Sequence, residues 1–205
     1  MNAVRIVRYV VWAAVVVLVA GIAWVVVIDR QGGVPGLTGT NIASIGGPFS
    51  LTDQNGNTVT EQDLLGHPSL VFFGYTFCPD VCPSTLAEIA NWLDTLGEDG
   101  KDLAVYFVTV DPERDTAEAL GQYAGYFSPR IVALRGTANQ TAEIAASYKA
   151  YYKRIDMEDG SGDYLMDHSA AVYLMDSKGR FFDAITFTAT PEEAVAKLRK
   201  LIAAS

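Results

Sequence analysis

The stretch LVFFGYTFCPDVCP, residues 70–83, decides the fold. It opens on an apolar run, Leu70-Val71-Phe72-Phe73, closed by Gly74. A run this short, without polar alternation, marks a central strand covered on both faces. The chain's two cysteines, Cys78 and Cys82, follow at once, so they leave the sheet at a strand's carboxyl end, where open α/β folds place their sites. From Pro83 and Ser84 to Leu96 the pattern is helical, with Leu86, Ala87, Ile89, Ala90 and Leu93 on the apolar face. Proline is tolerated in a first helical turn. Cys82 is therefore expected beside a helix N-terminus, whose partial positive charge favours thiolate over thiol.

Two thiols with three residues between them can form a disulfide, hold a metal or run thiol–disulfide exchange. A bridge this local closes a very short loop and sits at the small end of the ~2–4 kcal/mol range for disulfides. A structural staple would do more between distant segments, which favours active chemistry at the pair.

Outward from this stretch, strand and helix patterns alternate. Residues 49–51 and 58–59 read as an N-terminal hairpin around a glycine turn, 103–110 as a second buried strand and 116–126 as a helix capped by Asp115 or Thr116. A short strand at 131–134 and a helix at 137–148 come next, then an extended tyrosine-rich segment at 149–155 and an acidic loop at 156–163. A hairpin over 170–175 and 180–186 and an amphipathic helix over 191–202 close the chain. This is an α/β fold, a thioredoxin-like central mixed sheet with helices on both faces and an N-terminal hairpin extension.

The amino-terminal part has a different composition. Residues 10–28 are nineteen positions without a charge, ~28 Å as a helix and enough to cross a bilayer. Tyr9, Trp12 and Trp24 lie toward its ends, where interfacial aromatics belong. A cleaved signal peptide would have a shorter apolar region and a small-residue cleavage site, and Trp24-Val25-Val26-Val27-Ile28-Asp29 offers none. Arg5 and Arg8 precede the span without an acid, which puts residues 1–9 in the cytoplasm and everything beyond the anchor outside it. That is the periplasm in a bacterium, or the intermembrane space for a protein of the mitochondrial inner membrane. Residues 29–48, rich in glycine, read as a flexible linker, and residues 49–205 as one domain. The formal net charge is −9, and the first 30 residues are net basic, so the domain is more acidic still. With no basic cluster interleaved with aromatics, nucleic acid is excluded as a partner.

Of the two histidines, His67 sits in Gly-His-Pro before the central strand, at the end away from the cysteines, and reads as an exposed turn residue. His168 precedes the 170–175 strand, where a thioredoxin-like sheet brings the chain beside the cysteine loop. Oxidoreductases of that fold keep a proline there, and this chain has none near His168. Two thiolates and an imidazole form a soft, low-coordinate set that suits Cu(I) and can hold Cu(II). Zinc would want a fourth ligand. Met157, Met166 and Met175 lack the spacing of a methionine copper motif and read as core or loop residues. A peroxidase is disfavoured because Tyr75, not a threonine, stands three residues before Cys78.

Phe77-Cys78-Pro79-Asp80-Val81-Cys82-Pro83, Val110-Asp111-Pro112-Glu113-Arg114-Asp115-Thr116 and Asp167-His168-Ser169 together resemble the Sco/SenC family of copper-binding assembly factors, in the family's order. The likeness covers nearly all of residues 49–205, and the anchor and tether match the family's layout. The resemblance implies one copper per chain, bound by Cys78, Cys82 and His168, and metallation of the binuclear copper site of cytochrome c oxidase subunit II. A copper donor and a thiol reductant are implied as further partners. The family is also credited with thiol–disulfide reduction of the target's cysteines by the same pair and with redox sensing. Asp111 is expected to support the site from nearby or face a partner. Asp80, inside the cysteine loop, would tune the site's charge or meet the target, and Asp167 would orient the His168 ring.

Overall fold

The apolar run at the head of the cysteine stretch forms a strand, Ser69–Gly74, that is buried at every position, as its lack of alternation requires. The computed structural model describes Trp12, Ala13 and residues 45–158 and 161–205. The chain divides into two units, Met1–Ala43 and Ser44–Ser205, and every element below belongs to the second. Apart from Trp12 and Ala13, the expected membrane span at 10–28 lies outside the described residues, among which no helix is long and apolar enough to cross a membrane.

In chain order the elements are β1 (Ser50–Asp53), β2 (Thr58–Thr60), β3 (Ser69–Gly74), α1 (Val81–Leu96), β4 (Ala104–Thr109), α2 (Ala117–Phe127), β5 (Ile131–Arg135) and α3 (Ala138–Ser147). They continue as β6 (Tyr152–Asp156), β7 (Tyr164–His168), β8 (Val172–Met175), β9 (Phe181–Ile185) and α4 (Pro191–Ala204). Three of the helices start at a threonine. Thr116, Thr137 and Thr190 each accept the amide three residues on, satisfying a donor that no helical carbonyl reaches.

The main sheet runs β2-β1-β5-β4-β3-β8-β9. β3, β4 and β5 are parallel, whereas β8 lies antiparallel to β3 and β9 antiparallel to β8. The β4-β3-β8-β9 portion, with α1 between the parallel strands and α4 after the hairpin, is thioredoxin-like. The expected N-terminal hairpin is β1–β2, joined to the sheet through β5.

Period-2 alternation along β3 sorts the core. Phe72 stacks on Phe107 of β4, which meets Tyr123 of α2, on the face that α1 shares. Phe73 points the other way, onto Tyr148 just past α3 and Tyr173 of β8. The sheet is thus covered on both sides.

Three local expectations change. α1 begins at Val81, not Ser84, because the residues of a first turn need no amide partner within the helix and Pro83 costs nothing there. The expected linker at 29–48 gives way to packed chain by Ile45, which lies against the core, and the Gly46 amide donates to the Ser147 carbonyl at 3.0 Å. Residues 152–168, expected as an extended segment, an acidic loop and an irregular run to His168, contain the paired strands β6 and β7, which form a two-stranded sheet of their own.

Gly74 ends β3 where a side chain has no room. A Cβ built there would lie 2.6 Å from the Cys82 sulfur and 2.8 Å from the Phe107 ring. Gly74→Ala is expected to destabilise the domain by about 1–3 kcal/mol through overpacking. Urea unfolding of the variant beside the parent checks this, and equal midpoints would contradict it.

Candidate metal centre

The cysteine loop is fixed before it reaches the sulfurs. Asp115, wholly buried on the β4–α2 connection, accepts the Thr76 amide at 3.1 Å and the Thr76 and Thr109 hydroxyls at 2.5 Å each. Burial pushes this carboxyl up, and those hydrogen bonds oppose the shift. The Cys78 amide then donates to the Tyr75 carbonyl at 3.3 Å, which turns the chain into α1. Cys82 is fully buried in the first turn of α1, over Gly74. Cys78 stays half-exposed, and its sulfur accepts the Cys82 amide at 3.4 Å. The sulfur of Cys78 thereby serves one of the helix's unpaired amides, while the Asp80 side chain at the N-cap makes no capping bond. Both thiols are free.

His168 reaches the same place from 86 residues further on. It is the last residue of β7 and pairs with Tyr152. Its Nε2 lies 3.2 Å from the Cys82 sulfur, and its Nδ1 lies 3.1 Å from the Ser169 carbonyl. A carbonyl only accepts, so Nδ1 carries the proton in the neutral ring and the Nε2 lone pair faces the sulfurs. Tyr75 and Phe72 meet the ring edge-on, with centroids 5.8 and 6.2 Å away. The two sulfurs and one imidazole nitrogen all lie within 4.8 Å of one another. A cleft of about 300 Å³ opens over them, lined by Tyr75, Asp80, Ile155, Leu165 and Asp167 together with Cys78 and His168.

The sulfurs divide one charge unequally. A hydrogen bond from the Cys82 thiol, with help from the amides of Asp80 and Cys82, pushes Cys78 down to about 3. Cys82, giving its proton to that bond and lying in the apolar interior, is pushed up. The thiolate is therefore at Cys78, not at Cys82 as its place near the helix start had suggested. The reason is direction. The amides of Cys82 and Asp80 both turn to the sulfur of Cys78, whereas burial outweighs the one backbone bond, from Tyr75, that Cys82 receives.

The other candidate residues separate. Asp80 and Asp167 are exposed and stand at the cleft mouth. Asp167 does not orient the imidazole; the Ser169 carbonyl holds that ring nitrogen. Alternation explains it, because neighbours on a strand point to opposite faces. Asp111 is buried at 3 % exposure, pairs with Arg114 Nε at 2.6 Å and accepts the Tyr164 hydroxyl at 2.9 Å, so it faces no partner directly. His67, expected on the surface, is half-buried, and its Nδ1 is buried without a hydrogen bond. Met166 and Met175 are in the core and Met157 is exposed, as their spacing indicated. Sequence reading assigned Asp115 to a helix cap and gave Arg114, Tyr164 and Ser169 no role. The signal for Asp115 was an acid beside a threonine cap that already did the capping.

A thioredoxin-like domain that converges two thiols and an imidazole at the carboxyl end of its central strand defines a class of protein able to hold a soft metal ion. The family model described as SCO1/SenC matches residues 38–203, and the chain belongs to this family. Protein SenC of Rhodobacter capsulatus is 41 % identical over 184 residues, 87 % of this chain and 82 % of that protein. Among solved structures, Bradyrhizobium japonicum ScoI with copper bound is 47 % identical with a TM-score of 0.70, covering 77 % of this chain and 99 % of that one. Yeast Sco1 with copper bound is 37 % identical with a TM-score of 0.73, covering 79 % and 90 %.

The unequal sulfurs have a chemical signature. Iodoacetamide reacts with thiolate, so an ordinary thiol slows on the order of a thousandfold between pH 8 and pH 5. Cys78, ionised across that range, is expected to slow by less than about threefold, with Cys82 unmodified. Peptide mass spectrometry of the reduced chain after timed alkylation reads both. A steep loss of Cys78 labelling by pH 5 would refute the assignment.

Proposed function

We propose that this chain carries one copper ion on Cys78, Cys82 and His168 and assists metallation of the binuclear copper site of cytochrome c oxidase subunit II. The observation that carries the reading is the convergence of three soft or borderline donors within 4.8 Å, with the Nε2 lone pair already aimed at the sulfurs. The donor chemistry fits the metal. Thiolates select Cu(I), imidazole suits either oxidation state, and a set of three leaves zinc short of its usual fourth ligand. The copper-bound relatives ScoI and Sco1 support the same assignment. Loading would release the proton that Cys82 holds, since the ion needs both sulfurs as thiolates. Asp80 and Asp167 at the cleft mouth would meet the target.

The same proposal places residues 10–28 in the membrane as a single anchor. Residues 1–9 would lie in the cytoplasm, 29–44 would serve as a tether and 45–205 would work in the periplasm, or in the intermembrane space in a mitochondrion. A tethered domain searches only the volume beside its own membrane, where an oxidase subunit stands. A copper donor and a thiol reductant complete the cycle, because an oxidising compartment would otherwise close the cysteine pair.

One observation favours a second activity at the same site, reduction of a target disulfide. Cys78 is an ionised, half-exposed sulfur beside a buried, protonated one. In that reaction the Cys78 thiolate attacks the target disulfide and releases one target thiol. Cys82, losing its proton, then closes on Cys78 and releases the other, so the two electrons gained by the target leave this chain as its disulfide.

Titrating the reduced full chain in detergent with Cu(I) and Cu(II), with absorption and EPR as readouts, tests the main reading. His168→Ala is expected to weaken binding of both ions at least tenfold, in line with losing one ligand of three, while leaving the cysteines oxidisable. Unchanged affinity would count against the copper site. The chain oxidised to the Cys78–Cys82 disulfide is expected to take up no copper in the site, because a disulfide offers no thiolate. Equal loading of the two redox forms would be incompatible with the assignment.

A further inference from the structure

Among the described residues, the hairpin that carries His168 shares no strand ladder with the sheet that carries the cysteines; residues 169–171, a Met166 backbone bond to the Tyr75 side chain and further side-chain contacts join the two. β6 and β7 pair only with each other, and neither shares a ladder with the seven-stranded sheet. Side-chain contacts therefore share in setting the height of His168 over the sulfurs. The contacts that could do so gather around one residue outside the three-donor set, Arg114.

Arg114 touches both segments that supply the donors. Its guanidinium carbon lies 3.5 Å from the Tyr164 ring centroid on β7 and 4.8 Å from the Phe77 ring in the cysteine loop, with Tyr75 at 5.8 Å. One fork nitrogen donates to the Tyr164 carbonyl at 2.9 Å, and Nε donates to Asp111 at 2.6 Å. The Tyr164 hydroxyl closes the circuit onto the other oxygen of Asp111 at 2.9 Å. Arg154 of β6 lies 3.8 Å from the same Tyr164 centroid. Two guanidinium groups this close to one ring have room only on opposite faces, so Phe77, Arg114, Tyr164 and Arg154 form one stack from the cysteine loop into the hairpin. The ring is fixed face-on, at its hydroxyl and at its own carbonyl.

We infer that Arg114 is the joint that sets the histidine-bearing hairpin against the cysteine loop, and so is a positioning residue for the three-donor site. Tyr164, Met166 and His168 share the inward face of β7 by alternation. Four residues separate the clamped ring from the imidazole, ~13 Å of strand at ~3.3 Å per residue. Holding Tyr164 holds the direction in which His168 enters. Only a planar fork performs every part of this, stacking on rings while donating in two directions. A lysine brings the charge without the geometry.

The inference rests on the proposed copper site for one readout only, so the two can fail separately. The reduced, metal-free full chain in detergent is compared with Arg114→Leu, Arg114→Lys, Tyr164→Leu and Tyr164→Phe by hydrogen-exchange mass spectrometry. Arg114→Leu, Arg114→Lys and Tyr164→Leu are expected to speed exchange in peptides spanning β6 and β7 by about tenfold or more while leaving β3 and β4 unchanged. Tyr164→Phe, which keeps the stack, is expected to stay within about threefold of the parent. With Cu(II) added, Arg114→Leu is expected to lose the uniform nitrogen hyperfine coupling in EPR, with affinity down about tenfold. Parent-like hairpin exchange in both leucine variants would overturn the inference. So would equal loosening of β3 and β4, which would make Arg114 a residue of general stability, and so would faster exchange in Tyr164→Phe equal to that in Tyr164→Leu. If His168→Ala binds copper normally while the leucine variants free the hairpin, the copper reading falls and the joint stands.

Discussion

The Cys82 sulfur occupies the space that a side chain at position 74 would need. The site depends on that exclusion. A central strand buried on both faces must end where its chain turns outward, and here it ends at a residue without a Cβ, so the first turn of α1 settles directly onto the sheet. With Cys82 pinned in the interior, its amide faces back toward the loop, and the only sulfur in reach is that of Cys78. One steric vacancy thus determines which thiol is buried, which is half-exposed and which is ionised.

The charge distribution follows from the same arrangement. Two thiolates this close in an apolar interior would repel without relief, whereas one thiolate that accepts a thiol proton and an amide is satisfied. The apo pair therefore holds one negative charge and one proton. The neutral imidazole, with its proton committed to the Ser169 carbonyl, keeps its Nε2 lone pair open toward the sulfurs. A soft cation replaces that single proton at the centre of three donors, which is a smaller rearrangement than building a site from three separately protonated groups. Asp115 sits below the loop and adds to the upward push on Cys82, while its bonds to Thr76 and Thr109 keep the loop's origin fixed.

What the amino-acid sequence disclosed divides along physical lines. The strand at 69–74 was legible because a fully buried strand has no polar alternation to confuse it, and the cysteine pair because two thiols in 205 residues are conspicuous. His168 was legible by elimination and by its place before β8. The hairpin β6–β7 was not. Its residues are mostly exposed, with Lys153, Arg154 and Asp156 among them, and its pairing depends on a tertiary fit to the domain that no local pattern encodes. The roles of Arg114 and Tyr164 were hidden for the same reason, since 50 residues separate a guanidinium from the ring and carbonyl it grips. Alternation could have corrected Asp167. Once β7 is recognised as a strand, residues 167 and 168 must face opposite sides.

A site divided in this way answers a requirement that a rigid one meets poorly. On the proposed function the ion is cargo, to be held and then surrendered, and a donor set mounted wholly on one sheet could release it only by disturbing the core. Here the two sulfurs belong to the buried framework through β3 and α1, and the imidazole belongs to a small sheet joined to that framework by residues 169–171 and by side chains, without a shared ladder. Loss of one donor from three is a far smaller step than loss of the whole set, and it needs motion only of the hairpin. Ile155 and Leu165 lie on the hairpin's outward face at the cleft, cross-strand partners and both partly exposed. A surface that meets this pair therefore meets the strand that carries the third donor.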